Sequence, residues 1–196
     1  MKRILDFFAS GLGLLVLSPL FLVLAIWIKL DSEGPVFYRQ VRVGRNNRDF
    51  KIFKFRSMRV NADKGSLVTI GKDPRITRSG RFIRKMKLDE LPQLINVLLG
   101  DMSLVGPRPE VRHYVDYWTP KQMSVLAVRP GITDPASIKF RNENELMGKV
   151  DDPERFYIDT IMQEKLDLYM KYVSHHSLFG DIGLIFKTIA AVILIK

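Results

Sequence analysis

The N-terminal segment from Ile4 to Ile28 is almost wholly apolar, interrupted by Asp6, Ser10 and Ser18. About 20 apolar residues are enough for a helix to cross a bilayer, so this segment predicts a membrane helix at the start of the chain. Its length and the lack of a small-x-small exit site argue against a cleaved signal peptide. Attachment to a membrane is therefore the first constraint on the fold.

Two further features bear on how this segment sits in the membrane. Ser18-Pro19 lies near its middle, where proline removes a backbone hydrogen bond and kinks a helix. Lys2-Arg3 and Lys29 flank its ends, and basic flanks favour the cytoplasmic side. A helix that enters, bends at Ser18-Pro19 and leaves on the same side satisfies both features. A single-pass anchor with a proline kink is the alternative, and these residues alone leave the two open.

The remainder of the chain reads as one basic domain. The 196 residues are 46% hydrophobic, enough for one sizeable core, and 31 basic against 21 acidic residues give a net charge of +10. Such a charge points to anionic partners, namely nucleic acid, phospholipid headgroups or phosphorylated small molecules. The chain has no cysteine, which excludes disulfides, thiolate chemistry and Cys-ligated metals.

The stretch from Arg84 to Glu110 carries the most chemistry. Two adjacent carboxylates, Asp89 and Glu90, precede Pro92, which fits the first turn of a helix. Leucine and isoleucine then recur at helical spacing until Gly100, a typical stop. The carboxylates are therefore expected at a helix start, where free N–H groups favour anions. Ordinary N-terminal acids are one interpretation, and a carboxylate site for a polyanionic substrate is the other.

Cations near this stretch support the second interpretation. Arg75 and Arg84 lie upstream, and Arg108 stands between two prolines that fix its backbone for a bidentate phosphate contact. Pro35 to Met58 reads as a β-hairpin, whose end brings Lys54 and Arg56. These two cations either form a solvated strand face or lie near phosphate.

The C-terminal half is predicted to be helical. Ser79 is a candidate N-cap for a short basic helix before Asp89, and a long helix is expected from Pro153 to about Ser174. The tail from Leu178 is apolar but interrupted by charges, which predicts an interfacial or packed helix. The fold class expected is therefore α+β, mainly helical and membrane-associated. The expected division is a membrane helix over 1–29 and a catalytic domain over 30–196, lying on the membrane surface.

The motif from Asp73 to Glu110 resembles the core of the bacterial sugar transferases, the small monotopic phosphoglycosyl transferases. The resemblance extends to Lys54–Met58 (KFRSM) and to Pro130–Thr133 (PGIT). It implies a re-entrant membrane helix broken at Ser18-Pro19. It also implies an enzyme on the cytoplasmic face of a bacterial inner membrane, which moves a sugar 1-phosphate from a UDP-sugar to polyprenyl phosphate and releases UMP.

The resemblance also assigns roles to residues. It implies that Asp89 is the nucleophile, forming an acyl phosphate with the phosphosugar, and that Mg²⁺ is bound nearby with Asp89 as a ligand. Glu90 is left as a supporting group, a metal partner or a base. The phosphates would be held by the cations Lys54, Arg56, Arg75, Arg84 and Arg108. Partners would then be the UDP-sugar, polyprenyl phosphate and membrane lipids, with no nucleic acid, and homodimerisation is left open.

The chain departs from the common family pattern after Pro130–Thr133, where Ser137 stands in place of a glutamine. Nucleotide contacts are expected from Ser137, Arg141 and Asp167, although Asp167 also fits the surface of an amphipathic helix. Two rival functions are a membrane-tethered nucleic-acid binder, whose binding the two carboxylates would oppose, and a non-catalytic scaffold of a glycan assembly complex. UMP release from a UDP-sugar distinguishes all three.

Overall fold

The apolar N-terminal segment forms one helix, α1, from Lys2 to Asp31, in a computed structural model that describes residues 1–60, 62, 73–140 and 143–193. Among the helices of that part of the chain, α1 alone is long and apolar enough to cross a membrane. The helix continues through Pro19, and Ser18 Oγ donates to the Leu15 carbonyl at 2.8 Å, a bond that often bends helices. The break at Ser18-Pro19 stays a prediction.

One face of α1 packs on the rest of the chain and the other is exposed. Gly13 lies so close to Leu94 that a Cβ there would meet its side chain at 3.3 Å. Small residues at such positions let two helix backbones approach. The outward face exposes large apolar side chains, among them Ile4, Phe8, Leu12, Leu15, Val16, Leu22, Val23 and Leu30. Exposed apolar surface of this extent marks an interface with lipid or protein.

The predicted hairpin is confirmed. Strands β1 (Phe37–Val43) and β2 (Asp49–Phe55) pair antiparallel, with Phe37 opposite Phe55 and Val43 opposite Asp49. Their connection contains Asn46 and Asn47 at positive φ, a conformation that asparagine tolerates. Ile52 and Phe55, which point to opposite faces of β2 and belong to different core clusters, are each only 2% exposed. The hairpin therefore contributes directly to the core.

The basic helix α2 (Arg78–Lys85) and the following helix α3 (Gln93–Leu99) pack between α1 and the hairpin. Buried Ile83 of α2 meets Leu24 and Ile28 of α1 and Phe55 of β2, and burial of each such side chain contributes roughly 1.5–3 kcal/mol. Thr77, rather than the predicted Ser79, caps α2 by accepting from the Gly80 N–H at 3.0 Å. The correction is one of position, because Ser79 lies inside the helix.

The C-terminal half is helical, as predicted. A short strand β3 (Ser103–Val105) pairs in parallel with β4 (Gly131–Thr133), and this half of the chain also contains several helices. Those helices are α4 (Arg112–Val115), α5 (Pro135–Lys139), α6 (Glu143–Met147), α7 (Pro153–Phe156), α8 (Met162–His175) and α9 (Leu178–Ile193). A π-helical turn, Tyr157–Ile161, joins α7 to α8, so that one long helical path follows Pro153.

A polar network ties the first helix to the last. Lys2 Nζ forms an ion pair with Asp181 of α9 and donates to Tyr172 Oη and to the Val105 carbonyl, both at 2.8 Å. Tyr172 donates to the second oxygen of Asp181 at 2.7 Å. The predicted α+β, mainly helical architecture with a long apolar N-terminal helix is therefore present. The division at residues 29 and 30 stays a prediction, since α1 packs on the domain and ends at Asp31.

Candidate active site

The carboxylate pair lies in a tight turn just ahead of α3. Lys87 adopts a left-handed conformation with φ 55°, and Leu88–Glu90 form one 3₁₀ turn. Pro92 is the N-cap of α3, and Gly100 ends that helix at φ 98°. Leu88 packs against the cluster around Phe55, which directs the turn outward from the core. The pair therefore precedes a helix, as predicted, but occupies a separate turn.

Asn96 fixes this turn relative to the hairpin. Its side chain is fully buried in α3, donates to the Lys51 carbonyl at 2.9 Å and accepts from the Phe53 N–H at 2.8 Å. A buried amide with both groups bonded holds two elements in one register. As a result, Lys54 at the end of β2 lies beside the carboxylates.

Glu90 is held by two cations. Arg108 makes a bidentate contact with its carboxylate, with Nη1 at 3.0 Å from Oε2, and Lys54 Nζ lies 3.0 Å from Oε1. The Glu90 side chain is 22% exposed. Burial by itself raises the pKa of Glu90, but the charges of Arg108 and Lys54 outweigh it and hold that pKa well below its ordinary value. Glu90 is therefore an ionised anchor for both cations.

Asp89 differs sharply from its neighbour. Its carboxylate is half-buried and has no hydrogen bond or ion pair with any residue of the described ranges. Burial raises the pKa of Asp89, as does the adjacent Glu90 charge, while Lys54, Arg84 and Arg108 lower it less. The result is a carboxylate whose lone pairs are unoccupied within a cationic surrounding. Such a group is available to attack an electrophile or to bind a metal.

Arg84 and Arg75 precede the carboxylate pair in the chain. Arg84 acts electrostatically on both Asp89 and Asp73. Arg75 is bound to Asp73, with Nη2 at 2.6 Å from Oδ2, and donates to the Ala62 carbonyl at 2.8 Å. Arg84 is thus placed toward Asp89, whereas the Arg75 guanidinium is engaged within its own turn.

Arg56 is placed differently from the sequence-based expectation. Its side chain is 4% exposed, and its guanidinium donates to the carbonyls of Ser32 at 2.7 Å, of Ile28 at 3.4 Å and of Glu33. Cations commonly satisfy the free carbonyls at a helix C-terminus. These contacts give Arg56 a structural role at the end of α1, and its predicted phosphate contact gains no support from them.

A second charged cluster near Arg108, formed by Arg42, Glu110 and Tyr157, was not predicted from the sequence. Arg42 Nη1 lies 3.1 Å from Glu110 Oε1, and Tyr157 of the π-helical turn donates to Oε2 of the same carboxylate. Asp134 and Tyr169 also act on the charge of Arg108. The usable sequence signals were the acid directly after Gly-Pro-Arg-Pro and the Asp-Pro start of α5.

The model of the bacterial sugar transferase family matches residues 1–194. The chain belongs to the bacterial sugar transferase family. The matched range contains α1, the hairpin and the Asp89 turn together, so membership covers the entire architecture described above.

Several curated relatives of the family are similar over nearly all of this chain. A UDP-N-acetylgalactosamine-undecaprenyl-phosphate N-acetylgalactosaminephosphotransferase of Aeromonas hydrophila is 42% identical over 98% of the chain. The exopolysaccharide production protein PSS of Rhizobium leguminosarum bv. phaseoli is 40% identical over 97%. A UDP-glucose:undecaprenyl-phosphate glucose-1-phosphate transferase of Escherichia coli is 39% identical over 96%. The alignments span 43% and 39% of the Aeromonas and Escherichia proteins but 94% of the Rhizobium protein.

Two of the three predicted nucleotide contacts, Ser137 and Asp167, lie among the residues that the structure describes. Ser137 lies in the first turn of α5, where its N–H donates to Asp134 at 2.8 Å, and Asp134 in turn faces Tyr169 beside Arg108. Asp167 is exposed on α8, whereas Tyr169 on the same helix is buried. Arg141 lies outside the described residues. Ser137 is therefore linked to the Arg108 side of the site, and the nucleotide role of all three remains a prediction.

The site offers few carboxylate ligands for a divalent cation such as Mg²⁺. No group of three or more His, Asp or Glu side chains converges within the described part of the chain. Mg²⁺ at such sites commonly takes one or two carboxylates and completes its shell with water and substrate phosphate. Asp89, which is free of cationic partners among the described side chains, is the carboxylate that fits.

Proposed function

We propose that this chain transfers a sugar 1-phosphate from a UDP-sugar to undecaprenyl phosphate in two steps. In the first, an Asp89 carboxylate oxygen attacks the sugar-bearing phosphorus, the bond to the bridging oxygen breaks, and UMP leaves. In the second, a phosphate oxygen of the lipid attacks the same phosphorus. The bond to Asp89 then breaks, which frees the carboxylate and yields undecaprenyl diphosphate sugar. The names of the Aeromonas and Escherichia relatives support this overall reaction.

The contrast between the two carboxylates carries the proposal. A nucleophilic carboxylate must keep its lone pairs free, and Asp89 has no partner among the described residues, whereas Glu90 is bound by Arg108 and Lys54. Glu90 thereby acts as a positioning residue, because it binds the two cations that would otherwise pair with Asp89. Of the three roles that the sequence left open for Glu90, we therefore propose the supporting one.

The cations supply the charge neutralisation that phosphoryl transfer requires. Arg108 is 36% exposed while bound to Glu90, so part of its guanidinium faces the space where a diphosphate would lie. Arg84 also acts electrostatically on Asp89 and lowers its pKa. Asp89 would be the protein ligand of Mg²⁺, which when bound supplies further neutralisation of phosphate charge. Together these groups favour a diphosphate over a neutral substrate.

The contacts of α1 support an arrangement with both helix ends on the same side of the membrane. At its start, Arg3 donates to the carbonyls of Val97 and Leu98 of α3. At its end, Asp31 accepts from the Ser79 N–H at 2.7 Å. A single-pass helix would separate these ends by the bilayer, whereas both ends here bind the same domain. Because Lys2-Arg3 and Lys29 flank this helix and basic flanks favour the cytoplasmic side, we propose that the domain lies on the cytoplasmic face, with the apolar side of α1 in the lipid.

The test is UMP release by purified protein in lipid nanodiscs with undecaprenyl phosphate, across a panel of UDP-sugars. Asp89→Asn should abolish release, while Asp49→Asn, the same chemical change in an exposed ion pair with Arg112, should stay within about twofold of the parent. Release by Asp89→Asn at a substantial fraction of the parent rate would refute the nucleophile assignment. No release from any UDP-sugar would refute the reaction itself.

A further inference from the structure

The segment that carries Arg108 is anchored on one side by β4. The Gly106 N–H donates to the Thr133 carbonyl at 3.0 Å, and the Gly131 N–H donates to the Pro107 carbonyl at 2.9 Å. A Cβ on Gly106 would meet the Arg129 carbonyl oxygen at 2.4 Å, so the two backbones are in direct contact. These bonds fix the backbone before Arg108 but do not reach its other flank.

Glu110 anchors that other flank. Its carbonyl accepts from the Val43 N–H at 2.9 Å, which joins it to the end of β1. Its carboxylate accepts from Arg42 Nη1 and from the Val111 N–H, both at 3.1 Å, and from Tyr157. The side chains of Arg42 and Glu110 are 17% and 16% exposed, so the pair is well shielded from solvent. A shielded carboxylate with three donors holds its neighbours in a defined place.

The negative charge of Glu110 neutralises Arg42, a cation that acts on other charged residues of the site. The Arg42 guanidinium interacts electrostatically with Arg108 and with Glu90. It is therefore a third cation close to the carboxylate that already binds Arg108 and Lys54. Glu110 neutralises Arg42, and Arg42 also donates to the Pro109 carbonyl at 3.2 Å. Without the Glu110 charge, Glu90 would be the nearby anion left for Arg42, in competition with Arg108.

We propose that Glu110 is a positioning residue that, held by Tyr157, neutralises Arg42 and so keeps Arg108 directed at Glu90 and at the diphosphate of the substrate. The proposal rests on the proposed function, since it assigns Arg108 to a nucleoside diphosphate sugar. It gives the π-helical turn a purpose, because that turn carries the Tyr157 hydroxyl to Glu110. The residue acts through Arg108 and does not touch the reacting atoms.

The experiment compares Glu110→Gln, Tyr157→Phe and the double variant Glu110→Gln/Arg42→Gln, with Asp49→Asn as the matched control. Two quantities are measured on the full chain in nanodiscs. One is kcat/KM for the UDP-sugar at saturating undecaprenyl phosphate. The other is the affinity for UDP-sugar in an Asp89→Asn background by calorimetry, which needs no turnover. Apparent Tm identifies any variant that fails to fold, and in that case the single-hydroxyl change Tyr157→Phe decides.

We expect Glu110→Gln to lower both kcat/KM and UDP-sugar affinity by about tenfold, and Tyr157→Phe by about threefold, relative to the Asp49→Asn control. Adding Arg42→Gln should restore at least about threefold, because it removes the competing cation. A merely structural role predicts no such rescue. The proposal is overturned if folded Glu110→Gln matches Asp49→Asn in affinity, or if the double variant is no better than the single one.

The two hypotheses fail in different ways. If the parent releases no UMP, the proposed function is wrong, and the calorimetric comparison alone judges Glu110. In that comparison, affinity about tenfold weaker than that of Asp49→Asn supports the positioning role, and equal affinity overturns it. If the parent is active while Glu110→Gln binds normally, the reaction stands and the positioning role falls.

Discussion

Replacing each carboxylate of the pair by its amide should affect protein stability differently. Glu90→Gln removes the anion that binds Arg108 and Lys54, so two shielded cations lose their counter-charge. Asp89→Asn removes a half-buried charge that has no partner among the described residues. We therefore expect Glu90→Gln to destabilise the fold and Asp89→Asn to leave it equal or slightly more stable.

The size of each effect follows from the burial of the groups. Breaking a fully buried ion pair costs roughly 3–5 kcal/mol, and solvent screening at the 36% exposed Arg108 reduces this to about 2–3 kcal/mol. For a chain of this size that corresponds to a drop in Tm of about 4–12 °C. Asp89→Asn should raise stability by no more than about 1 kcal/mol, a common gain when an active-site group is neutralised.

The pH dependence of protein stability should also distinguish the two carboxylates. The pKa of Asp89 is raised in the fold, so its charge destabilises the protein above that pKa, and the penalty disappears as pH falls through it. The pKa of Glu90 is depressed, so its contribution is present above its ordinary value and is lost as pH falls through the folded value. The advantage of Asp89→Asn over the parent should therefore be largest at neutral pH and close on acidification.

Intrinsic fluorescence of the two tryptophans, in nanodiscs, gives the apparent Tm of the parent and both variants between pH 4 and 8, a range set by the ordinary carboxylate pKa values. Loss of the same several degrees in both variants would mean that Asp89 has a stabilising partner in the folded protein. The claim that its lone pairs are kept free would then be wrong.

Three further predictions follow from α1 and from the raised pKa of Asp89. Cysteines placed in an N-terminal extension and at exposed Lys29 should be equally protected from an impermeant thiol reagent in intact cells; labelling of one site alone would establish a single span. Lys2→Met should lower the free energy of unfolding by about 2–3 kcal/mol, because it leaves Asp181 buried without its counter-ion. The matched change at exposed Lys29, Lys29→Met, should alter it by no more than about 0.5 kcal/mol. Equal Tm values for the two variants would refute a stabilising role for the Lys2–Asp181 ion pair. The acid limb of UMP release should lie above the ordinary Asp pKa and move down in Glu90→Gln; an unmoved limb would show that Asp89 does not set it.

Local signals in the sequence predicted the elements that position the site. Alternating apolar residues predicted the hairpin, which the structure contains. Pro92 and Gly100 predicted the two ends of α3, and they are its N-cap and C-cap residues in the structure. These features depend on neighbouring residues only, since strand period and helix caps are local properties. The same holds for the apolar run of α1, whose length is visible directly.

The pairing of charges was not predictable in the same way. Lys54 and Arg56 were expected to act together, but β2 ends at Phe55, so the alternation that places Lys54 at Glu90 does not extend to Arg56. Glu110 lies outside α4, which begins only at Arg112, and its partners Arg42 and Tyr157 are distant from it in the chain. Which cation meets which carboxylate is set by tertiary contacts between distant elements, and the sequence contains no local record of them.

A reaction without the lipid acceptor tests most directly whether Asp89 forms a covalent intermediate. Enzyme incubated with UDP-sugar and Mg²⁺ alone should release UMP in a burst no larger than one per active site. The peptide containing Asp89 should then carry a phosphosugar adduct that is labile to hydroxylamine, as acyl phosphates are, and Asp89→Asn should give neither. UMP that appears only when undecaprenyl phosphate is added, with UDP-sugar binding confirmed, would contradict the covalent route and reduce Asp89 to a metal ligand.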